Sequence, residues 1–253
     1  MKLFDPVRLA EETERLVVRG ELKKYYRTSR PGRWYRGIAT ADCCGCCLRC
    51  VFCWSGVPRD QPEKVGKFYT PRHIFKKLDA CARKFGYKRV RVSGNEPTIG
   101  KRHLLELLEL VDQTGLRFIL ESNGILIGHD KDYAKQLGRF RSVYVRISIK
   151  GTNSEEFARL TGAVPGSFSL QLEALRNLLD AGVPCWPAVM LSFSPEENFR
   201  GLLVKLGEID HSLVENVEEE YCFMYPHVAE RLENARIQPR IAYSPDNIPQ
   251  KLI

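Results

Sequence analysis

What this chain of 253 residues lacks narrows it before any motif does. No apolar run approaches the roughly 20 residues needed to span a bilayer, so no membrane partner is expected. The opening stretch, MKLFDPVRL, carries an acid and a proline where a signal peptide would need apolar residues. A cytoplasmic protein is the expectation. No G-x-G-x-x-G follows the first strand-like run, which leaves a Rossmann nucleotide site without support. No internal repeat, low-complexity tract or linker interrupts the chain, and its length suits one well-buried core.

Cysteine is sparse everywhere but in one place. Cys81, Cys185 and Cys222 stand alone, whereas Cys43, Cys44, Cys46, Cys47, Cys50 and Cys53 fall in the segment DCCGCCLRCVFCW, Asp42 to Trp54. Adjacent cysteines rarely reach unstrained bridge geometry, so a disulfide framework is excluded and metal or redox chemistry expected. Two registers satisfy C-x3-C-x2-C: Cys43, Cys47, Cys50, or Cys46, Cys50, Cys53. A zinc ribbon would need a second C-x2-C or a Cys/His pair downstream, and none follows. Three thiolates can hold three irons of a cubane cluster and leave the fourth iron open to a small molecule.

The rest of the chain alternates. β-rich runs at Gly37 to Ala41, Lys88 to Val92, Leu116 to Leu120, Val143 to Ile149, Cys185 to Leu191 and Tyr221 to Tyr225 are separated by amphipathic stretches. These stretches are Pro71 to Phe85, Lys101 to Thr114, Lys131 to Phe140, Phe168 to Ala181 and Pro195 to Ile209. The alternation implies parallel strands with right-handed crossovers, either an open doubly wound sheet or an incomplete barrel. Arg146, Ser148 and Lys150 occupy alternate positions of the fourth run and so share one face, with Ile147 and Ile149 on the other. Three polar residues facing a barrel lumen need polar partners.

The register Cys46, Cys50, Cys53 places an aromatic, Phe52, just before the last cysteine, and so resembles the radical SAM superfamily signature C-x3-C-x-aromatic-C. That resemblance implies an α/β fold of the partial (β/α)6 TIM-like barrel type in a single domain. Its core would run from 37 to 226, between a basic N-terminal extension (1–36) and a C-terminal tail (227–253). It implies a 4Fe–4S cluster and S-adenosylmethionine (SAM) as cofactors. Val92-Ser93-Gly94-Asn95-Glu96-Pro97 is similar to the superfamily's G-G-E-P segment, with Asn95 in place of the second glycine; there the backbone and the glutamate bind the ammonium of the methionine moiety. Glu121-Ser122-Asn123-Gly124 is similar to the E/D-T-N-G segment, whose polar side chains reach toward ribose and carboxylate. Lys150 matches the lysine of a D-L-K segment and would neutralise the methionine carboxylate, with Ser148 beside it. The expected cofactor-binding residues are therefore Phe52, Gly94, Asn95, Glu96, Ser122, Asn123, Ser148 and Lys150.

The likeness is strongest to the activase-like branch, helped by Asn153, Glu155 to Phe157 and Leu160-Thr161-Gly162. It implies reductive cleavage of SAM to a 5′-deoxyadenosyl radical that abstracts hydrogen from a protein or small-molecule substrate. A ferredoxin- or flavodoxin-type electron donor would be the partner. Trp54-Ser55 departs from that branch's His-Asn, and Cys-Val-Phe-Cys-Trp resembles instead the tRNA wyosine-synthesis enzymes. A net charge of +8 and the run Lys23-Lys24-Tyr25-Tyr26-Arg27, followed by Arg30, Arg33, Trp34, Tyr35 and Arg36, fit tRNA as an alternative partner. The blander expectation for this run is a solvated basic arm, or one covering a barrel end. A non-enzymatic iron–sulfur electron carrier is the third reading. Glu218, Glu219 and Glu220 are expected to be solvated, and His227 structural.

Overall fold

The computed structural model describes residues 3–252. Its strands are β1 (Val18–Arg19), β2 (Leu22–Gly32), β3 (Ile38–Cys43), β4 (Lys67–Tyr69), β5 (Arg89–Ser93), β6 (Arg117–Ser122), β7 (Val143–Ile149), β8 (Cys185–Met190), β9 (Glu218–Glu220), β10 (Cys222–Phe223) and β11 (Ala242–Tyr243). β3, β5, β6, β7, β8 and β9 pair in parallel in that order. A doubly wound sheet reverses its strand order at a switch point. Here each parallel strand lies beside the next in sequence, so the chain winds one way into a six-stranded partial barrel.

The helices are α1 (Pro6–Val17), α2 (Val57–Asp60), α3 (Pro71–Phe85), α4 (Lys101–Asp112), α5 (Ile125–His129), α6 (Lys131–Leu137), α7 (Ser154–Thr161), α8 (Phe168–Asp180), α9 (Glu196–Gly207), α10 (His211–Glu215) and α11 (Pro226–Asn234). Their ends follow local chemistry. Thr70 caps α3 by accepting from His73 N, proline sits in its first turn, and Gly86 ends it at φ 68°. Asn153 caps α7 by accepting from Glu156 N.

Strand periodicity separates two interiors. Val90, Val92, Phe118, Leu120, Val145, Ile147 and Ile149 are buried under helices, with Leu104, Leu107, Leu108 and Val111 of α4 among the apolar residues packed there. Thr40, Asp42, Arg91, Glu121, Arg146, Ser148, Trp186, Glu218 and Glu220 occupy the alternate positions, toward the lumen.

Two expectations are corrected. The sixth barrel strand is Glu218–Glu220, ahead of the predicted Tyr221 to Tyr225; beyond it, β10 pairs with β11 in a separate two-stranded sheet. The basic run is not a solvated arm. β2 extends the sheet antiparallel to β3, carries β1 and β4 on its other side, and buries Lys23, Lys24 and Tyr25.

Candidate active site

The loop that leaves β3 is held by backbone bonds on every side. Cys44 N donates to Lys24 O at 3.0 Å and Gly45 N to Pro58 O at 2.9 Å, while Arg49 N and Val51 N donate to Thr161 O and Leu160 O at the end of α7. Gly45 turns at φ 88°, where a Cβ would meet Thr13 Cγ2 at 2.6 Å. Cys43, Cys44 and Cys47 are fully buried; Cys46 and Cys53 are partly exposed, with Cys50 between them. A hydrogen bond from Cys47 lowers the Cys46 thiol, while burial pushes Cys50 up to about 12. Phe52 packs 5.5 Å from Phe193, and Lys150 Nζ lies 5.9 Å from the Phe52 ring.

The loops after β5 and β6 converge on this one. Glu96 is buried, and its carboxylate accepts from Thr98 N at 3.1 Å, Thr98 Oγ1 at 2.6 Å, Ser122 Oγ at 2.8 Å and Asn123 N at 2.9 Å. Its own N–H donates to Gly45 O at 3.0 Å. Asn123 Nδ2 points back at the cysteines, 3.2 Å from Cys47 Sγ and 3.7 Å from Cys46 Sγ. Beneath the loop, the Lys23 ammonium donates to the carbonyls of Glu96, Pro97 and Ile99. Gly94, at φ 91°, passes so close to β3 that a Cβ would sit 2.9 Å from Tyr26 Oη and 3.0 Å from Cys43 O. Asn95 Nδ2 donates to Cys43 O, whereas Asn95 Oδ1 and Tyr26 Oη are buried with no partner among the described residues. Gln171 on α8 ties the neighbouring strand ends together: Nε2 donates to Asn123 O and Ser148 O, and Oε1 accepts from Lys150 N.

Below these loops the lumen is lined with paired charges. Arg146 donates to both carboxylate oxygens of Glu218 at 2.8 and 2.9 Å, to Glu220 at 2.8 Å and to Ser148 Oγ at 2.9 Å. Lys150 Nζ reaches the other Glu220 oxygen at 3.2 Å, and Trp186 Nε1 donates to Glu218 at 3.0 Å. Arg91 and the Tyr35 hydroxyl both donate to Glu121, and Arg30 forks onto Asp42. Burial alone would raise the Glu220 carboxyl, but Arg146 and then Lys150 override it and hold it down at about 2. The sequence suggested three solvated glutamates; instead Glu220 is largely buried, Glu218 is partly exposed but paired with Arg146, and Glu219, on the other strand face, is exposed. Their role was missed because nothing in three consecutive glutamates marks which ones meet an arginine 72 and 74 residues earlier. His227 is exposed and its Nε2–H donates to Trp54 O, a brace on the cysteine loop.

Residues 42–203 match the radical SAM superfamily, a span beginning at the end of β3 and reaching into α9. The chain belongs to the radical SAM superfamily. Among curated relatives, a probable GTP 3′,8-cyclase of Saccharolobus solfataricus is 27% identical over 170 residues, covering 66% of this chain and 50% of the relative. The Fe-coproporphyrin III synthase of Methanosarcina barkeri is 28% identical over 140 residues, 54% of this chain and 32% of that one. The chain spans about half the length of the first of these relatives. The fold is shared with Streptococcus suis SuiB bound to S-adenosylmethionine (TM-score 0.54, 14% identity, 81% of this chain and 51% of that one). It is shared also with a spore photoproduct lyase variant (TM-score 0.57, 15% identity, 76% and 58%).

Radical SAM enzymes use a 4Fe–4S cluster and SAM, and the residues at this barrel end fit both. Among the described residues, no three His, Cys, Asp or Glu side chains converge as they would on one metal ion. Cys46, Cys50 and Cys53 are free thiols carried on one loop, the donor type that holds such a cluster. The unpartnered Asn95 Oδ1 is an acceptor beside the cysteine loop, suited to an ammonium.

Proposed function

We propose that Cys46, Cys50 and Cys53 hold the cluster and that the strand ends of β5, β6 and β7 hold SAM against it. When bound, the two cofactors supply one-electron cleavage of the sulfonium C–S bond to methionine and a 5′-deoxyadenosyl radical, which abstracts hydrogen from substrate. The observation that carries this reading is Asn123, whose backbone N–H donates to Glu96 while its side-chain amide reaches Cys46 Sγ, so that one residue binds three strand-end loops together. Cys43 belongs to β3 and pairs with Tyr25, which favours the later register. With its carboxylate committed to Thr98, Ser122 and Asn123, Glu96 acts here by shaping the loop, and Asn95 Oδ1 with the backbone at Gly94 meets the ammonium. Lys150, shared with Glu220, faces the methionine carboxylate with Ser148 at its side. The lumen belt presents Arg146, Glu121 and Trp186 to a protein segment or small polar substrate, the activase-like reading; a ferredoxin- or flavodoxin-type protein supplies the electron.

The test is anaerobic reconstitution followed by reduction in the presence of SAM, with 5′-deoxyadenosine read by mass spectrometry. Cys50→Ala should lose both iron and cleavage, and Cys43→Ala should keep both. Cleavage surviving in the Cys50 variant would place the cluster elsewhere. A loaded wild-type chain that releases no 5′-deoxyadenosine would be an electron carrier.

A further inference from the structure

Each of the three cysteines assigned to the cluster has its backbone carbonyl bonded to an arginine. Arg49 Nη1 donates to Cys46 O at 2.7 Å and to Leu48 O at 3.1 Å. Arg59, buried on α2, donates through Nη1 to Cys50 O at 2.6 Å. Arg231, half-buried on α11, donates through Nη2 to Cys53 O and through Nη1 to Ser55 O. The guanidiniums come from three separate places in the chain and end on three ligands of one site. Cys43 O, outside this set, takes the Asn95 amide and no arginine among the described residues.

Charge balance gives the collar a direction. Asp60 answers Arg59 at 2.8 Å and stands 3.7 Å from Arg49, so one carboxylate serves two guanidiniums. Arg231 has no carboxylate within 4.0 Å among the described residues. Three cations and one anion leave a net charge of about +2 at the loop, and a half-buried guanidinium without an anion is costly unless the site itself supplies one. A cubane core of charge 2+ on three thiolates is an anion, and adding one electron makes it more so. Reduction makes or breaks no bond here; one electron moves from the donor to the cluster, and nearby fixed cations favour the state with more negative charge.

Resting on the cluster assignment above, we propose that Arg49, Arg59 and Arg231 are positioning residues that raise the reduction potential of the cluster through charge held at its ligands' carbonyls. The experiment uses the full chain, reconstituted anaerobically, with an electron paramagnetic resonance titration against dithionite and mediators. Iron and sulfide content is measured in parallel. Arg231→Met and Arg49→Met should each load a full cluster and make its reduction roughly tenfold less favourable, a downward shift of about 59 mV for a one-electron couple. Arg231→Lys, which keeps the charge and loses the fork, should retain most of the wild-type potential. Loaded Met variants at the wild-type potential would overturn the proposal. So would an Arg231→Lys shift as large as that of Arg231→Met, or loss of iron in both Met variants, since either makes the arginines braces for the loop and no more. Failure of the wild-type chain to take up a 4Fe–4S cluster would instead overturn the cluster assignment.

Discussion

Lys23 donates to three backbone carbonyls, and all three belong to the turn that follows β5. An ammonium has three protons, so every donor is used and no carboxylate is needed. Replacing it by methionine keeps an unbranched stem of nearly the same length and strips the donor from three buried acceptors. Lys23→Met should therefore lose about 1–3 kcal/mol of stability, read from the denaturant midpoint at unchanged m-value. It should also weaken SAM binding, because the turn it braces carries Gly94 and Asn95. Unchanged stability and SAM affinity would remove Lys23 from this role. The residue could not be recognised from the sequence. Its acceptors lie 73 to 76 positions away and are backbone oxygens, which leave no trace in residue identity. Its basic flanks pointed to solvent. The cysteine loop, by contrast, was legible because the spacing of its thiols is itself the chemistry.

At the scale of elements, strands buried on both faces were easily read. Val143 to Ile149 was predicted with the bounds it has, because a β-branched outer face alternates with the polar face of Arg146 and Ser148. β9 was not legible. Glutamates are poor strand formers, and Glu218–Glu220 is a strand through its pairing with β8 and the arginine, lysine and tryptophan that meet its carboxylates. β2 escaped for a similar reason: α3, farther along the chain, packs over it, and α4 reaches β2 through one side chain. His103 of α4 joins the two, with Nδ1–H donating to Glu21 O at 2.7 Å and Nε2 accepting from Tyr25 Oη at 2.9 Å. Burial lowers this imidazole from 6.5 to about 4, an effect that the nearby Lys23 charge reinforces and the bond to Glu21 opposes. The unfolded chain then binds a proton that the folded one refuses, so the stability this group contributes is present above pH 6.5 and is lost as pH falls toward 4. The apo chain should lose on the order of 3 kcal/mol across that window. His103→Gln, which keeps the hydrogen-bonding shape without titrating, should flatten that part of the curve. An equally steep fall in the Gln variant would assign the acid sensitivity to other groups.

For the molecule as a whole, the formal charge of +8 does not sit where the sequence suggested. Lys23 and Lys24 are buried, the second donating to Pro62 O and Glu63 O at 2.9 Å, and Arg30 is paired with Asp42. Arg91, Arg146 and Lys150 face the lumen against Glu121, Glu218 and Glu220. Tyr35 has turned inward to Glu121, and Trp34 lies 6.3 Å from Phe223. What the N-terminal run offers to a polyanion is reduced to Arg27, Arg33 and Arg36, the exposed members of the original set. Counterion release scales with the phosphates neutralised, so three contacts predict a log–log salt slope of roughly −2 to −3 for tRNA binding. Filter binding between roughly 50 and 200 mM salt measures it directly. A slope near about −6, shallower by two or more units in an Arg27/Arg33/Arg36→Gln variant, would mark this run as part of a wide phosphate-binding face. The tRNA-modifying reading would then gain over the one proposed here. A slope within the smaller range, unaltered by those substitutions, would leave the lumen rather than the basic run as the place where substrate identity is decided.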